Sequence, residues 1–225
     1  MSDADGIQSE NAAAAGSLAD RLQLLAGDSP RFIAALAGPP GAGKSTLAEA
    51  LIKALQERGE QAIVVPMDGF HFDDTVLIAR GHRSRKGAPF TFDCAGFEVL
   101  LRRIRASEPD VAIPLFDRER ELSRAAAAIV DAQTRFIIVE GNYLLLAEEP
   151  WARLRTLFDY CIFLDVPPEE LQRRLLKRIQ SFGRSREEAE QWLAGNDLPN
   201  IQHVLCASAA PDLRIRVPPS DPNSP

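Results

Sequence analysis

Residues 38–46 read Gly38, Pro39, Pro40, Gly41, Ala42, Gly43, Lys44, Ser45 and Thr46. The spacing of Gly38, Gly43, Lys44 and Ser45 satisfies the pattern GxxxxGK[ST]. Glycines let the backbone curl tightly, so that successive N–H groups converge on an anion. The Lys44 ammonium adds a point charge for the outer phosphates of a nucleotide such as ATP, and the Ser45 hydroxyl can be offered to Mg2+. A helix opening here aims its positive end at the same oxygens. The whole stretch, Gly38 to Thr46, is therefore expected to contact nucleotide.

A phosphate cradle does not say what becomes of the phosphate; nearby acids decide that. Asp68 lies just past an apolar run in VVPMDGFHFDD. At the carboxyl end of a parallel strand, where ligands of such folds bind, it can accept the proton of an acceptor hydroxyl, or merely cap a turn. Gly69 beside it permits close backbone approach. Glu140 ends FIIVE, the place of an acid that holds Mg2+ directly or through water, and is counted among the substrate contacts as well. His71 reads as a substrate contact or a plain loop histidine, since Asp73 and Asp74 beside it match no metal-pair spacing. Two basic groups complete the set. Arg80, His82, Arg83, Arg85 and Lys86 face substrate or nucleotide, or form a solvated surface; Arg173, Arg174, Lys177, Arg178 and Arg184 form an outer helix face or a lid over a triphosphate.

The elements that must position these residues are visible as hydrophobic patterns. Short apolar runs at 32–37, 62–66, 136–140 and 160–165 predict buried parallel strands, and 213–217 alternates like an edge strand. Leu47, Leu51 and Leu55 predict a helix over 44–58, stopped by Gly59. Asp93 caps a helix carrying Phe97, Leu100, Leu101 and Ile104, and Pro168 opens one with Leu171, Leu175 and Ile179 on one face. Ser17 and Asp20 suggest a cap before Leu18, Leu22 and Leu25; Ser185 and Glu188 form a capping box ahead of Trp192, with Gly195, Asn196 and Pro199 interrupting the chain beyond it. The stretch 118–133 stays open between an alanine helix and a short strand around Ile129 and Val130. Strand and helix alternate, so the expectation is an α/β three-layer fold: a mostly parallel five-stranded sheet with helices on both faces and a small helical lid over 173–190. Residues 18–217 form one domain, 1–17 a flexible N-terminus and 218–225 a disordered tail.

Composition excludes more than it selects. The chain has 225 residues and a formal charge of −6, which argues against binding nucleic acid through phosphate neutralisation. No run approaches the roughly 18 apolar residues of a membrane helix, and the acidic N-terminus is not a secretory leader. Cys94, Cys161 and Cys206 are widely spaced and read as reduced core thiols. A cytoplasmic protein acting on a small molecule is expected, as a monomer or a homodimer.

With these residues in place, the chain resembles the phosphoribulokinase, uridine kinase and pantothenate kinase family over about residues 32–217. GPPGAGKST is similar to the family's nucleotide loop, MDGFH to its second-strand aspartate motif and FIIVEGNYLLL to its magnesium-holding strand. RKGAPFTFD, PLFDRE and NDLPN are nearest to a bacterial branch labelled nucleoside kinase or fructose-transport kinase. The resemblance implies a kinase that moves the γ-phosphate of ATP, with Mg2+, to a hydroxyl of a small molecule. Asp68 would be the base, Lys44 and Ser45 would serve phosphate and metal, and Arg174 and Arg178 would belong to a mobile lid. Arg118 and the loop with Arg85 and Lys86 would face the acceptor. Uridine kinases carry a tyrosine, histidine and arginine cluster where this chain reads Phe116, Asp117, Arg118 and Glu119, and the serine and histidine pair of pantothenate kinases is absent. The acceptor therefore ranges over sugars such as fructose, nucleosides and vitamin-like alcohols. A nucleotide-driven switch protein is the alternative, and it lacks both the guanine-reading tetrad of GTPases and the signature of transport ATPases.

Overall fold

The structure is a computed structural model that describes residues 3–181, 183 and 185–218. The strands are β1 (Phe32–Ala37), β2 (Ala62–Pro66), β3 (Val111–Asp117), β4 (Leu122–Val130), β5 (Phe136–Gly141), β6 (Tyr160–Asp165) and β7 (Leu213–Arg216). The α-helices are α1 (Asp3–Ala26), α2 (Lys44–Glu57), α3 (Asp74–Ala79), α4 (Cys94–Arg105), α5 (Pro168–Ser181), α6 (Arg186–Trp192) and α7 (Leu198–Ala207). Five strands form one sheet in the order β2-β5-β1-β6-β7, and every pairing in it is parallel.

The sheet is central because of its side chains. All residues of β1 and β5 are buried, as the unbroken apolar runs require of strands covered on both faces. Successive side chains leave opposite faces. Ile33, Ala35, Ile137 and Val139 pack with Phe97, Leu101 and Ile104 of α4. Ala34, Leu36 and Ile138 pack with Leu22 of α1, Leu51 of α2 and Leu171 of α5. These are the three layers. The register sets Glu140 level with Leu36 on one side and Pro66 on the other, so the chain exits of β1, β2 and β5 lie at one edge of the sheet.

Several expectations change. Helix α1 starts at Asp3, within the segment expected to be a flexible N-terminus, so Ser17 lies inside the helix and is no cap. Leu18 and Leu22 are buried but Leu25 is 47% exposed, and Ala26 takes the inward place, because i+4 rather than i+3 continues the packed row here. The open stretch resolves as a strand: β4 pairs antiparallel with β3 in a separate two-stranded ribbon. Strand pairing overrides the helix propensity of its alanines. Cys94 and Cys161 are buried, whereas Cys206 is exposed and is not a core thiol. The capping box of Ser185 and Glu188 is present. Beyond it the helical path is not broken but widened by a π turn, Leu193–Asp197, and Pro199 falls in the first turn of α7, where its missing N–H costs nothing. Arg184 of the expected lid and residues 219–225 of the expected tail lie outside the described residues.

Candidate active site

The loop between β1 and α2 is shaped by its glycines. Gly43 caps α2 with φ 92° and Gly41 has φ 81°, backbone that a side chain would strain. A Cβ at Gly41 would also press on Leu175 of α5, 3.0 Å from its Cγ. Lys44 is buried, and its Nζ donates to the Pro39 carbonyl at 3.0 Å and to Asn142 Oδ1 at 2.6 Å. Burial pulls its pKa down to about 8, with Glu140 and Asp68 acting in the opposite direction. A buried ammonium in contact with neutral acceptors alone gains from an incoming anion. Ser45 and Thr46 stand exposed in the first turn of α2.

Glu140, at the end of β5, is buried and lies beside the Ser45 side chain, which favours its ionised form. Burial and the neighbouring Asp68 raise its pKa, while Lys44 and Arg118 oppose the rise. Asp68 sits in the turn Met67–Phe70 that follows β2, half-buried. Arg118, from the end of the ribbon, donates to Asp68 Oδ2 at 3.1 Å. The ribbon can approach because residue 69 is glycine: a Cβ there would lie 2.3 Å from the Pro114 carbonyl oxygen. His71 donates through Nδ1 to the Asp68 carbonyl at 2.8 Å and stacks against Phe92 and Phe116. Burial lowers its pKa, so it is a neutral wall rather than a charge.

Asp68, His71 and Arg118 open on a cavity of about 420 Å³ that is also lined by Pro40, Lys86 and Arg178, among others. Arg178 keeps exposed surface yet sits down in the concavity, where its surroundings and Arg118 lower its pKa. Lys86 is buried, with Nζ donating to Asp74 Oδ1 at 2.7 Å and to the Glu121 carbonyl at 2.8 Å. Arg174 donates to the buried Glu170 at 2.6 Å and reaches the Ala42 carbonyl at 3.5 Å, which leaves it beside the phosphate loop. Of the residues expected to face the acceptor, Glu140 and Arg85 do not line this cavity: Glu140 is buried at the end of β5. Arg85 borders a neighbouring hollow and donates to Asn196 Oδ1 at 3.4 Å and Asn200 Oδ1 at 3.3 Å.

A domain model described as "AAA domain" matches residues 35–193, more than half of the chain. The chain is 37% identical to uncharacterized protein YggC of Escherichia coli (strain K12), over 83% of this chain and 78% of the other. It is 33% identical to a protein provisionally named a uridine kinase in Schizosaccharomyces pombe, over 83% of each. A solved structure from Silicibacter sp. TM1040, provisionally named a fructose transport system kinase, superposes with a TM-score of 0.85 at 39% identity, over 89% of this chain and 98% of that one. The chain belongs to the P-loop kinases.

For a P-loop kinase the residues present fit the expected ligands. The glycine-shaped loop and the desolvated Lys44 suit a polyphosphate, and the Ser45 hydroxyl with the Glu140 carboxylate is a hard-oxygen set suited to Mg2+, which keeps most of its waters. No cluster of three or more metal-ligating side chains exists among the described residues, and a magnesium bound mainly through phosphate needs none. Nor is any described helix long and apolar enough to cross a membrane.

Sequence reasoning missed part of the kinase's cavity. Asn142, two residues past Glu140, holds Lys44; its place just beyond a parallel strand was a usable signal. Asn196, Asp197 and Asn200 also line the cavity. They belong to NDLPN, which carried the resemblance but received no site role, because a π turn shifts which residues share a helix face.

Proposed function

We propose that this P-loop kinase transfers the γ-phosphoryl group of ATP to a hydroxyl of a sugar, nucleoside or vitamin-like alcohol. The observation that carries the reading is the Asp68 carboxylate, open to the cavity at the sheet edge where the phosphate loop also ends. When bound, ATP supplies the phosphoryl group and Mg2+ the charge that draws its oxygens together. Asp68 accepts the proton of the acceptor hydroxyl, and Arg118 keeps its carboxylate oriented. Lys44 and the loop N–H groups hold the phosphates; Ser45 and Glu140 hold the metal. Arg178, with Arg174 behind it, adds positive charge where negative charge builds up in transfer. His71, Phe92 and Phe116 give the acceptor an apolar wall and help to exclude water.

Asp68→Asn tests this reading. Acceptor-dependent ADP release should fall by about 10²–10⁴-fold, with nucleotide affinity nearly intact. Unchanged turnover in that variant would rule Asp68 out as the base. ADP release by the wild-type protein that ignores every added alcohol would instead favour a nucleotide-driven switch.

A further inference from the structure

One carboxylate in the cavity has no part in this transfer. Asp197 ends the π turn and lines the same cavity as Asp68 and His71, from a different element. It makes no capping hydrogen bond to α7, and none of the hydrogen bonds or ion pairs among the described residues involves its side chain. Burial raises its pKa to about 6, with Arg178 acting against the rise. The residue is only partly buried, so its carboxylate is open on the cavity side, where a bound ligand's donors can replace water.

The turn around it is firmly held. Asn196 donates through Nδ2 to the Lys86 carbonyl at 2.8 Å, and the Arg85 guanidinium bridges Asn196 and Asn200 at 3.4 and 3.3 Å. The residues on either side are anchored while the carboxylate between them is left unbonded. Wide π turns of this kind often accompany functional sites. The charge balance narrows what can bind. Arg118 is paired with Asp68, Arg83 with Asp74, and Lys86 with Asp74 and Glu121. The remaining cation on the described cavity wall, Arg178, is the one that the transfer engages. An acceptor bearing its own negative charge would meet Asp197 without a cation to spare.

We propose that Asp197 determines acceptor specificity, its carboxylate accepting hydrogen bonds from hydroxyls other than the one phosphorylated at Asp68. The substrate class is then an uncharged polyol, a sugar or sugar-bearing compound, rather than an alcohol carrying a carboxylate or phosphate. This inference rests on the kinase reading of the same cavity.

The test uses the full chain with ATP, measuring ADP release with fructose, ribose and uridine against glycerate and pantothenate, and then with the deoxy analogues of the best acceptor. Neutral polyols should be preferred. One deoxy position should cost about 10- to 100-fold in kcat/KM, the worth of a hydrogen bond to a charged group. In Asp197→Ala that particular penalty should shrink to about twofold or less, with KM for ATP unchanged. If Asp197→Ala does not fold, Asp197→Asn keeps the shape without the charge and should show an intermediate penalty. A preference for glycerate or pantothenate, or a deoxy penalty equal in variant and wild type, overturns the assignment and leaves the kinase reading standing. Failure of every acceptor to stimulate ADP release defeats both.

Discussion

On the proposed reading, the phosphate side and the acceptor side of the cavity are built in different ways. The phosphate side is compact in sequence: residues 38–46 leave β1 and enter α2, and Glu140 and Asn142 join them from the adjacent strand β5. Its shape comes from backbone, and its charge from one lysine. The acceptor side is assembled from the turn after β2, the loop around Lys86, the tip of the ribbon, α5 and the π turn. Its residues are set by side-chain contacts between segments more than 100 positions apart, such as Arg85 with Asn196 and Asn200. A loop that binds an invariant chemical group can be specified locally, whereas a pocket for a variable substrate is made where independent segments meet.

Three substitutions bear on that contrast, from the largest effect to the smallest. Lys44→Met removes the charge and nearly conserves the volume. Turnover should drop by about 10²–10³-fold with every acceptor alike. A loss confined to some acceptors would blur the division between the two sides. Arg85→Ala acts on the acceptor side from outside the cavity. It removes the guanidinium brace from Asn196 and Asn200, leaving Asn196 held by the Lys86 carbonyl alone, so KM for the acceptor should rise about 10-fold while KM for ATP stays put. Arg85 is a positioning residue in this scheme, so kcat should change little; a collapse in kcat would mean that it touches the reacting groups.

Glu140→Gln should reduce magnesium-dependent turnover, and it carries a separate stability signature. Burial and Asp68 raise the folded-state pKa of this carboxyl. Such a group contributes stability that is fully present below its unfolded pKa and is lost as pH rises through the folded value. The ligand-free variant should therefore melt at a higher temperature than wild type at pH 8, by about 2–4 °C, and at nearly the same temperature at pH 4. Equal melting temperatures at both pH values would show that Glu140 is not the strained group of the phosphate side.

The same contrast explains which parts were legible in the sequence. Strands β1, β2, β5 and β6 were legible because doubly covered strands must be apolar throughout, and α2, α4 and α5 because one face repeats every three to four residues. Strand β4 was ambiguous because its alanines at 125–128 belong to a half-exposed ribbon, whose pairing no local pattern reveals. Leu25 misled because the i+3 and i+4 rows of a short apolar pattern differ only in what they pack against.

By itself the sequence determined the phosphate cradle, the strands that carry it and the acid after β2, because backbone conformation and an apolar period are local properties. Tertiary structure alone decided that Arg118 meets Asp68, that Arg85 braces the wall instead of lining it, and that Asp197 stands unpartnered in the acceptor cavity. Those outcomes depend on which distant segments share a volume, and on which polar groups find partners once water has been excluded.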